Sequence, residues 1–188
     1  MKLTVCGNTF YSRRMTNADA AAVCRWRYSG RQEIYNTEDT PESVRSFLDG
    51  WHFALARKFG GEIEAFVCFG ESAGLPLPEL AHIYRDESFT DIALGLRPDL
   101  CGKGLGQSVA AAAIELAYRF FPDDGFRVTV AKDNAPAQRI YRALGFETLA
   151  AFSAEVIYPD KDGNIRTRMT EMEILNAAPC RRGAQKKN

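Results

Sequence analysis

Between Thr90 and Gly106 the chain reads TDIALGLRPDLCGKGLG, an order that few local folds accept. Ile92, Leu94 and Leu96 alternate with smaller residues, the period of a strand. Pro98 ends that strand, because proline has no N–H to give to a ladder. Gly102, Gly104 and Gly106 follow at every second position. From Leu105 the spacing turns helical, with Val109, Ile114, Leu116, Ala117 and Phe120 set among alanines. The stretch predicts a buried strand, a sharp glycine turn and a helix reaching about Phe121.

A glycine turn that feeds a helix has a chemical use. The first helical turn carries N–H groups without partners, and the helix dipole is positive there. Glycine lets backbone approach a ligand closely. Together these features suit a phosphate or pyrophosphate, and Lys103 adds positive charge. The Walker pattern GxxxxGK[ST] is absent, which argues against a P-loop nucleotide binder. The dinucleotide fingerprint GxGxxG fails as well, since its third glycine falls on Val109.

What remains resembles motif A of the GNAT acetyltransferase superfamily, [Q/R]xxGx[G/A], which holds the pyrophosphate of coenzyme A. Gly104 and Gly106 fill the glycine positions, and Cys101 stands where the family has Gln or Arg. That loop works mainly through backbone N–H groups, so the site is expected to tolerate the departure. A second stretch, FRVTVAKDNAPAQRIYRALG, strengthens the resemblance. Phe126, Val128 and Val130 form an alternating strand, Asn134 and Pro136 open a helix, and Gly145 closes it. Asn134, Ala137, Tyr141, Gly145 and Phe146 match the second GNAT pattern, about thirty residues after the first. The clear resemblance covers Asp91 to Phe146.

The resemblance implies an α+β fold. Its sheet is mixed and mostly antiparallel, of about seven strands flanked by about four helices. The fourth and fifth strands run parallel and splay, with coenzyme A in the V between them. It also implies transfer of an acetyl group from acetyl-CoA to a primary amine by direct attack. The expected cofactor-binding residues are Leu94, Leu96, Cys101, Gly102, Lys103, Gly104, Leu105, Gly106, Gln107, Asn134, Ala137 and Tyr141. Tyr141 is the expected acid for the leaving thiolate, and Asp91 the candidate base for the amine. Unpaired backbone near Leu94 to Leu96 is expected to meet the oxyanion, with Gly95 marking a bulge. A thiol at Cys101, near a helix N-terminus, is a candidate for a lowered pKa.

Along the rest of the chain, Phe10 to Met15 reads as the first strand. Thr16 or Asn17 caps a helix reaching about Tyr28, and Thr40-Pro41 starts a second that ends near Gly50. In the family these helices border the acceptor, so Tyr28, Ile34 and Tyr35 are candidates for its wall. Strands at 52–59 and 62–69 flank Gly60-Gly61, a hairpin signal. The segment Glu71 to Asp91 is irregular and holds five acids (Glu71, Glu79, Asp86, Glu87, Asp91) against Arg85. Overhanging the acceptor cleft, it would favour a cationic amine. Pro122 to Gly125 is a turn, and two long strands at 147–158 and 165–174 close the domain, expected over 1–176. Residues 177–188 are a basic tail, read as disordered.

Lys plus Arg equals Asp plus Glu at 24 each, so no global field points to nucleic acid or membrane. The five cysteines are scattered without a CxxC pair and there are two histidines. These counts argue against a disulfide framework and against a metal site, and make a reducing cytoplasm the expected compartment. A homodimer through the C-terminal strands is compatible with the sequence. The competing readings are a noncatalytic acyl-CoA-binding module and a protein or peptide N-acetyltransferase.

Overall fold

A hairpin absent from the sequence reading opens the chain: β1 (Lys2–Val5) pairs antiparallel with β2 (Asn8–Arg14). Its two-residue turn puts Cys6 at φ 46° and Gly7 at φ 73°. Both φ angles are positive, as a type I′ hairpin turn requires. A cysteine is an unusual occupant of that conformation, so the turn left no signal. The computed structural model describes residues 1–75, 77, 80–122 and 124–178. Pro76, Pro78, Glu79, Asp123 and the tail from 179, with Cys180, lie outside the described residues.

Helix α1 (Asn17–Cys24) is shorter than expected, and Thr16 caps it reciprocally with Asp19. Helix α2 (Pro41–Ser46) has Thr40 as its cap and Pro41 in its first turn. Between them Gly30–Tyr35 forms a 3-10 turn. Strands β3 (His52–Ala56) and β4 (Ala65–Phe69) pair antiparallel, with a connection longer than the expected two-residue turn. The irregular segment holds a 3-10 turn at Gly70–Ala73 and a one-turn helix, α3 (Ala81–Tyr84).

Then come β5 (Phe89–Leu96), α4 (Gly106–Phe120), β6 (Gly125–Ala131), α5 (Ala135–Ala143), β7 (Glu147–Pro159) and β8 (Ile165–Ala177). The eight strands form one sheet in the order β1-β2-β3-β4-β5-β6-β8-β7. Only β5 and β6 run parallel among the described pairs, as expected for the fourth and fifth strands before β1 was counted.

The sheet has two covered faces. On one, Ile92, Phe126, Val128 and Val67 pack against Val109, Ala112, Ala113 and Leu116 of α4. The near-absence of large side chains on that stripe of α4 brings the helix close to the strands. On the other, Phe66 sits with Trp26 and Phe47 under α1 and α2. Side-chain alternation along β5 and β6 therefore sends Asp91, Ala93, Gly95, Arg127, Thr129 and Ala131 to the α1/α2 face. Among the described residues, no helix is long and apolar enough to cross a membrane.

Candidate active site

The register between β5 and β6 stops at Asp91–Arg127. Beyond it the two strands no longer pair with each other, although each keeps its outer neighbour. Which backbone groups this exposes follows from ladder alternation. At the closed end the Gly125 N–H donates to Ser88 O at 2.9 Å, and at the far end the Lys132 N–H donates to Glu171 O of β8 at 2.8 Å. Odd residues of β6 thus turn toward β5, and even residues of β5 turn toward β6. Leu94 and Leu96 on one wall, and Thr129 and Ala131 on the other, point their N–H and C=O groups into an open slit.

The slit's rim is the glycine turn. Backbone hydrogen bonds in this turn end with the Cys101 N–H on Pro98 O and resume with the Val109 N–H on Leu105 O. Helix α4 has no side-chain cap, so the N–H groups of Gly106, Gln107 and Ser108 are its unpaired first-turn donors. Gly102 and Gly104 have φ of 74° and 77°. A β-carbon on either would meet no atom within 4 Å. The glycines are needed there for their dihedrals. Gly106 has a different reason: a β-carbon on it would come within 2.7 Å of Ile140 Cδ1. Lys103 and Gln107 are exposed, and Leu105 is half-buried.

Cys101 does not carry the acidified thiol considered for it. Its Sγ lies 3.6 Å from Leu96 O and 3.8 Å from Arg97 O, as a weak donor. Burial, then Asp99, push its pKa up rather than down. Nor is Gly95 a bulge: the pairing of β4 with β5 runs without a shift from 92 to 96. The residue is glycine because a β-carbon would sit 2.3 Å from the ring of Phe66.

The Asp91 base assignment does not fit the geometry. Both carboxylate oxygens accept from Arg127, at 3.1 Å from Nε and 2.8 Å from Nη2. Arg127 is 1% exposed, and its remaining N–H groups donate to the carbonyls of Ile83, Tyr84 and Phe89. The pair ties β5 and β6 together where they still touch and anchors α3 to them. Burial raises the Asp91 pKa, and Arg127 works against that rise.

On α5, Asn134 is the cap: its Oδ1 accepts from the Ala137 N–H. Tyr141 lies two turns on, packed on Phe146, with ring centroids 5.6 Å apart. Burial pushes its phenol well above the ordinary range, helped by Tyr35 and Cys68 nearby. Gln138 Nε2 is the sealed side-chain polar atom without a partner among the described residues.

Two further tyrosines, named above as candidates for an acceptor wall, bond to backbone on the two sides of the slit. The Tyr28 hydroxyl donates to Leu96 O at 2.9 Å. The Tyr35 hydroxyl accepts from the Ala131 N–H at 3.2 Å and from Asn134 Nδ2 at 3.3 Å. Ile34, the third wall candidate, is buried against Ala131 and Tyr158 instead. Sequence reasoning missed Arg127 and Tyr84, whose hydroxyl meets Thr129 Oγ1 at 2.9 Å. An arginine at an inward position of an otherwise apolar strand was the available signal for Arg127.

Beside the slit's closed end lies a cavity of about 680 Å³. Tyr84, Phe89 and Phe121 give it apolar walls, and Glu71, Asp86, Glu87 and Asp124 line it against Arg85. Asp91 and Arg127 also line it but neutralise each other. Among the described residues, no group of three or more His, Cys, Asp or Glu is arranged to hold a metal ion.

Comparison with known proteins agrees with this geometry. Over 80 residues the chain is 36% identical to the spermidine N(1)-acetyltransferase of Escherichia coli K12, covering 42% of this chain and 41% of that protein. The match thus spans about two-fifths of that relative's length. A crystal structure assigned as a phosphinothricin N-acetyltransferase superposes with TM-score 0.64 at 17% identity, covering 91% of this chain and 99% of that one. A protein from Salmonella typhimurium assigned as an acetyltransferase, solved with acetyl-CoA, gives TM-score 0.58 at 17% identity, covering 95% and 99%. At such identities the likeness is one of fold. The family profile described as "Acetyltransferase (GNAT) domain" matches residues 11–147, well over half the sequence, and the chain belongs to that family.

Proposed function

We propose that this protein is an N-acetyltransferase that moves an acetyl group from acetyl-CoA to a small cationic amine. The observation that carries the reading is the continuity of the glycine turn at 102–108 with the slit between Leu94–Leu96 and Thr129–Ala131. The turn's unpaired N–H groups suit a pyrophosphate, and the slit's backbone donors and acceptors suit an amide-bearing arm. The residues present therefore fit acetyl-CoA, which would supply the activated acyl group.

In this reading Gly102 to Ser108 hold the pyrophosphate. The N–H groups of Leu94 and Leu96 are placed to stabilise an oxyanion that forms beside β5. Tyr141 keeps its proton through binding, gives it to the leaving sulfur and regains one from solvent; burial holds the phenol neutral and makes it a weaker acid than an ordinary phenol. With Asp91 engaged by Arg127, the amine loses its proton to water in the open cavity. Among the described residues, Glu71, Asp86, Glu87 and Asp124 line that cavity against Arg85, which favours a protonated amine, as does the partial likeness to a spermidine acetyltransferase.

Thermal shift with acetyl-CoA, CoA and ATP in parallel tests the cofactor. A ligand at about a hundred times its Kd stabilises the fold by about 2.7 kcal/mol. Shifts with both CoA species and none with ATP support the reading. A thiol-release assay over polyamines, amino acids, amino sugars and peptides then separates a small-amine enzyme from a peptide acetyltransferase. Binding without turnover on any of them leaves a noncatalytic acyl-CoA module.

A further inference from the structure

The tyrosines at the two walls of the slit differ in what they still offer. Tyr28 spends its proton on Leu96 O, which leaves its oxygen lone pairs to accept. Tyr35 receives two N–H groups on its oxygen, from Ala131 and Asn134, which leaves its proton to donate. Leu96 and Ala131 belong to the two groups of residues that turn their backbone into the slit past the last β5–β6 pair. One hydroxyl therefore sits on each wall, one an acceptor and the other a donor.

Asn134 gives one of its two Nδ2 hydrogens to Tyr35, and its Oδ1 accepts from the Ala137 N–H, so its amide is held in place beside Tyr35. The segment that carries the tyrosines is fixed before any ligand arrives. Asn36 accepts from the Tyr28 N–H at 2.7 Å and donates to Tyr28 O and Pro159 O. Arg27 Nη1 donates to the carbonyls of Cys24, Trp26 and Thr37. Ordering costs at this site are thus met on folding rather than on binding.

Resting on the acetyl-CoA reading above, we infer that Tyr28 and Tyr35 form a positioning pair that grips a secondary amide of the pantetheine arm, Tyr28 accepting its N–H and Tyr35 donating to its C=O. An ammonium group, which has donors only, satisfies one of the two. The pair is therefore matched to the acyl carrier rather than to the acceptor amine.

The test compares Tyr28→Phe and Tyr35→Phe with wild type in calorimetric titrations with acetyl-CoA and with adenosine 3′,5′-bisphosphate, which lacks the pantetheine arm. Each substitution is expected to raise the Kd for acetyl-CoA about three- to tenfold, the range of one net hydrogen bond. The Kd for the bisphosphate should not change. An unchanged acetyl-CoA Kd overturns the inference, and so does equal weakening of both ligands, which marks a purely structural role. Tighter acetyl-CoA binding also overturns it, since the tyrosines would then be plugs that the ligand displaces. A raised KM for the amine with an unchanged acetyl-CoA Kd assigns the pair to the acceptor instead. If wild type binds neither CoA species, the acetyltransferase reading itself has failed, an outcome distinct from all of these.

Discussion

Asp91 and Arg127 face each other at the last point where β5 and β6 touch, carboxylate on guanidinium at 2.8 and 3.1 Å, with the slit opening immediately beyond. Both are buried, and each offsets part of the other's desolvation cost. Their position makes the pair a rivet for the closed end of the V. Removing one partner leaves an uncompensated buried charge, so Arg127→Met should cost about 3–5 kcal/mol in denaturant unfolding. The double substitution Asp91→Leu/Arg127→Met should recover most of that loss. The same geometry separates structure from chemistry at Asp91. Asp91→Asn should lower stability yet leave kcat per folded molecule, and the shape of its pH profile, unchanged. A pH profile that loses its acid limb would return Asp91 to the mechanism.

In the proposed reaction Tyr141 is the acid for the leaving thiolate. Tyr141→Phe keeps the packing on Phe146 and removes only the hydroxyl. The expected result is a kcat at least about tenfold lower with the Kd for acetyl-CoA little changed. The pH dependence follows from the sign of the shift. Burial raises the phenol's pKa above its usual value of about 10, and the protonated form is the active one. Wild-type kcat should then show no alkaline decline from this group up to about pH 10. A steady-state pH series on both proteins checks it, and unchanged kcat in the variant removes Tyr141 from the chemistry.

Cys101 should be an inert thiol. Its Sγ is turned into the carbonyls of Leu96 and Arg97, and burial followed by Asp99 raises its pKa. A thiolate is the reactive form, so a raised pKa slows alkylation and acyl transfer alike at neutral pH. Mass spectrometry after brief iodoacetamide treatment near pH 7.5 should find exposed Cys6 modified well before Cys101. Cys101→Ala should keep most of the activity. A trapped acetyl group on Cys101 would instead establish a covalent route.

The fold was legible where backbone chemistry wrote it into residue types. Gly102 and Gly104 stand where φ is positive, Thr16, Thr40 and Asn134 stand at helix caps, and Gly145, at φ 87°, closes α5. The β1 hairpin escaped because its turn uses Cys6 in a conformation that sequence assigns to Asn or Gly. The glycine turn and the helix that carries Tyr141 were legible because they lie on local motifs. The role of Asp91 was not legible, because an acid beside a cleft and an acid in a buried pair look alike until a partner 36 residues away is placed against it. The hydroxyls of Tyr28 and Tyr35 had the same problem. Their positions suggested an acceptor wall, but which atoms they bond depends on where β5 and β6 part.

Gly95 links the α1/α2 face to the slit. A β-carbon there would lie 2.3 Å from Phe66 Cε1 and 2.9 Å from its Cζ. The ring has little room to withdraw, since it packs on Phe47 at 5.4 Å, Trp26 at 6.0 Å and His52 at 6.3 Å between centroids. Gly95→Ala therefore either pushes the ring into that cluster or bends β5 toward β6, and overpacking of this kind costs about 1–3 kcal/mol. Bending β5 would move Leu94 and Leu96, whose backbone lines the slit, so acetyl-CoA affinity should fall together with Tm. Phe66→Leu in the same chain removes the clashing atoms and should restore acetyl-CoA affinity even though the cluster loses an aromatic ring. Melting curves and acetyl-CoA titrations of the two single variants and the double variant check this. Affinity that stays at the wild-type level in Gly95→Ala would show that the strain is absorbed wholly under α1 and α2, leaving the walls of the slit where they are.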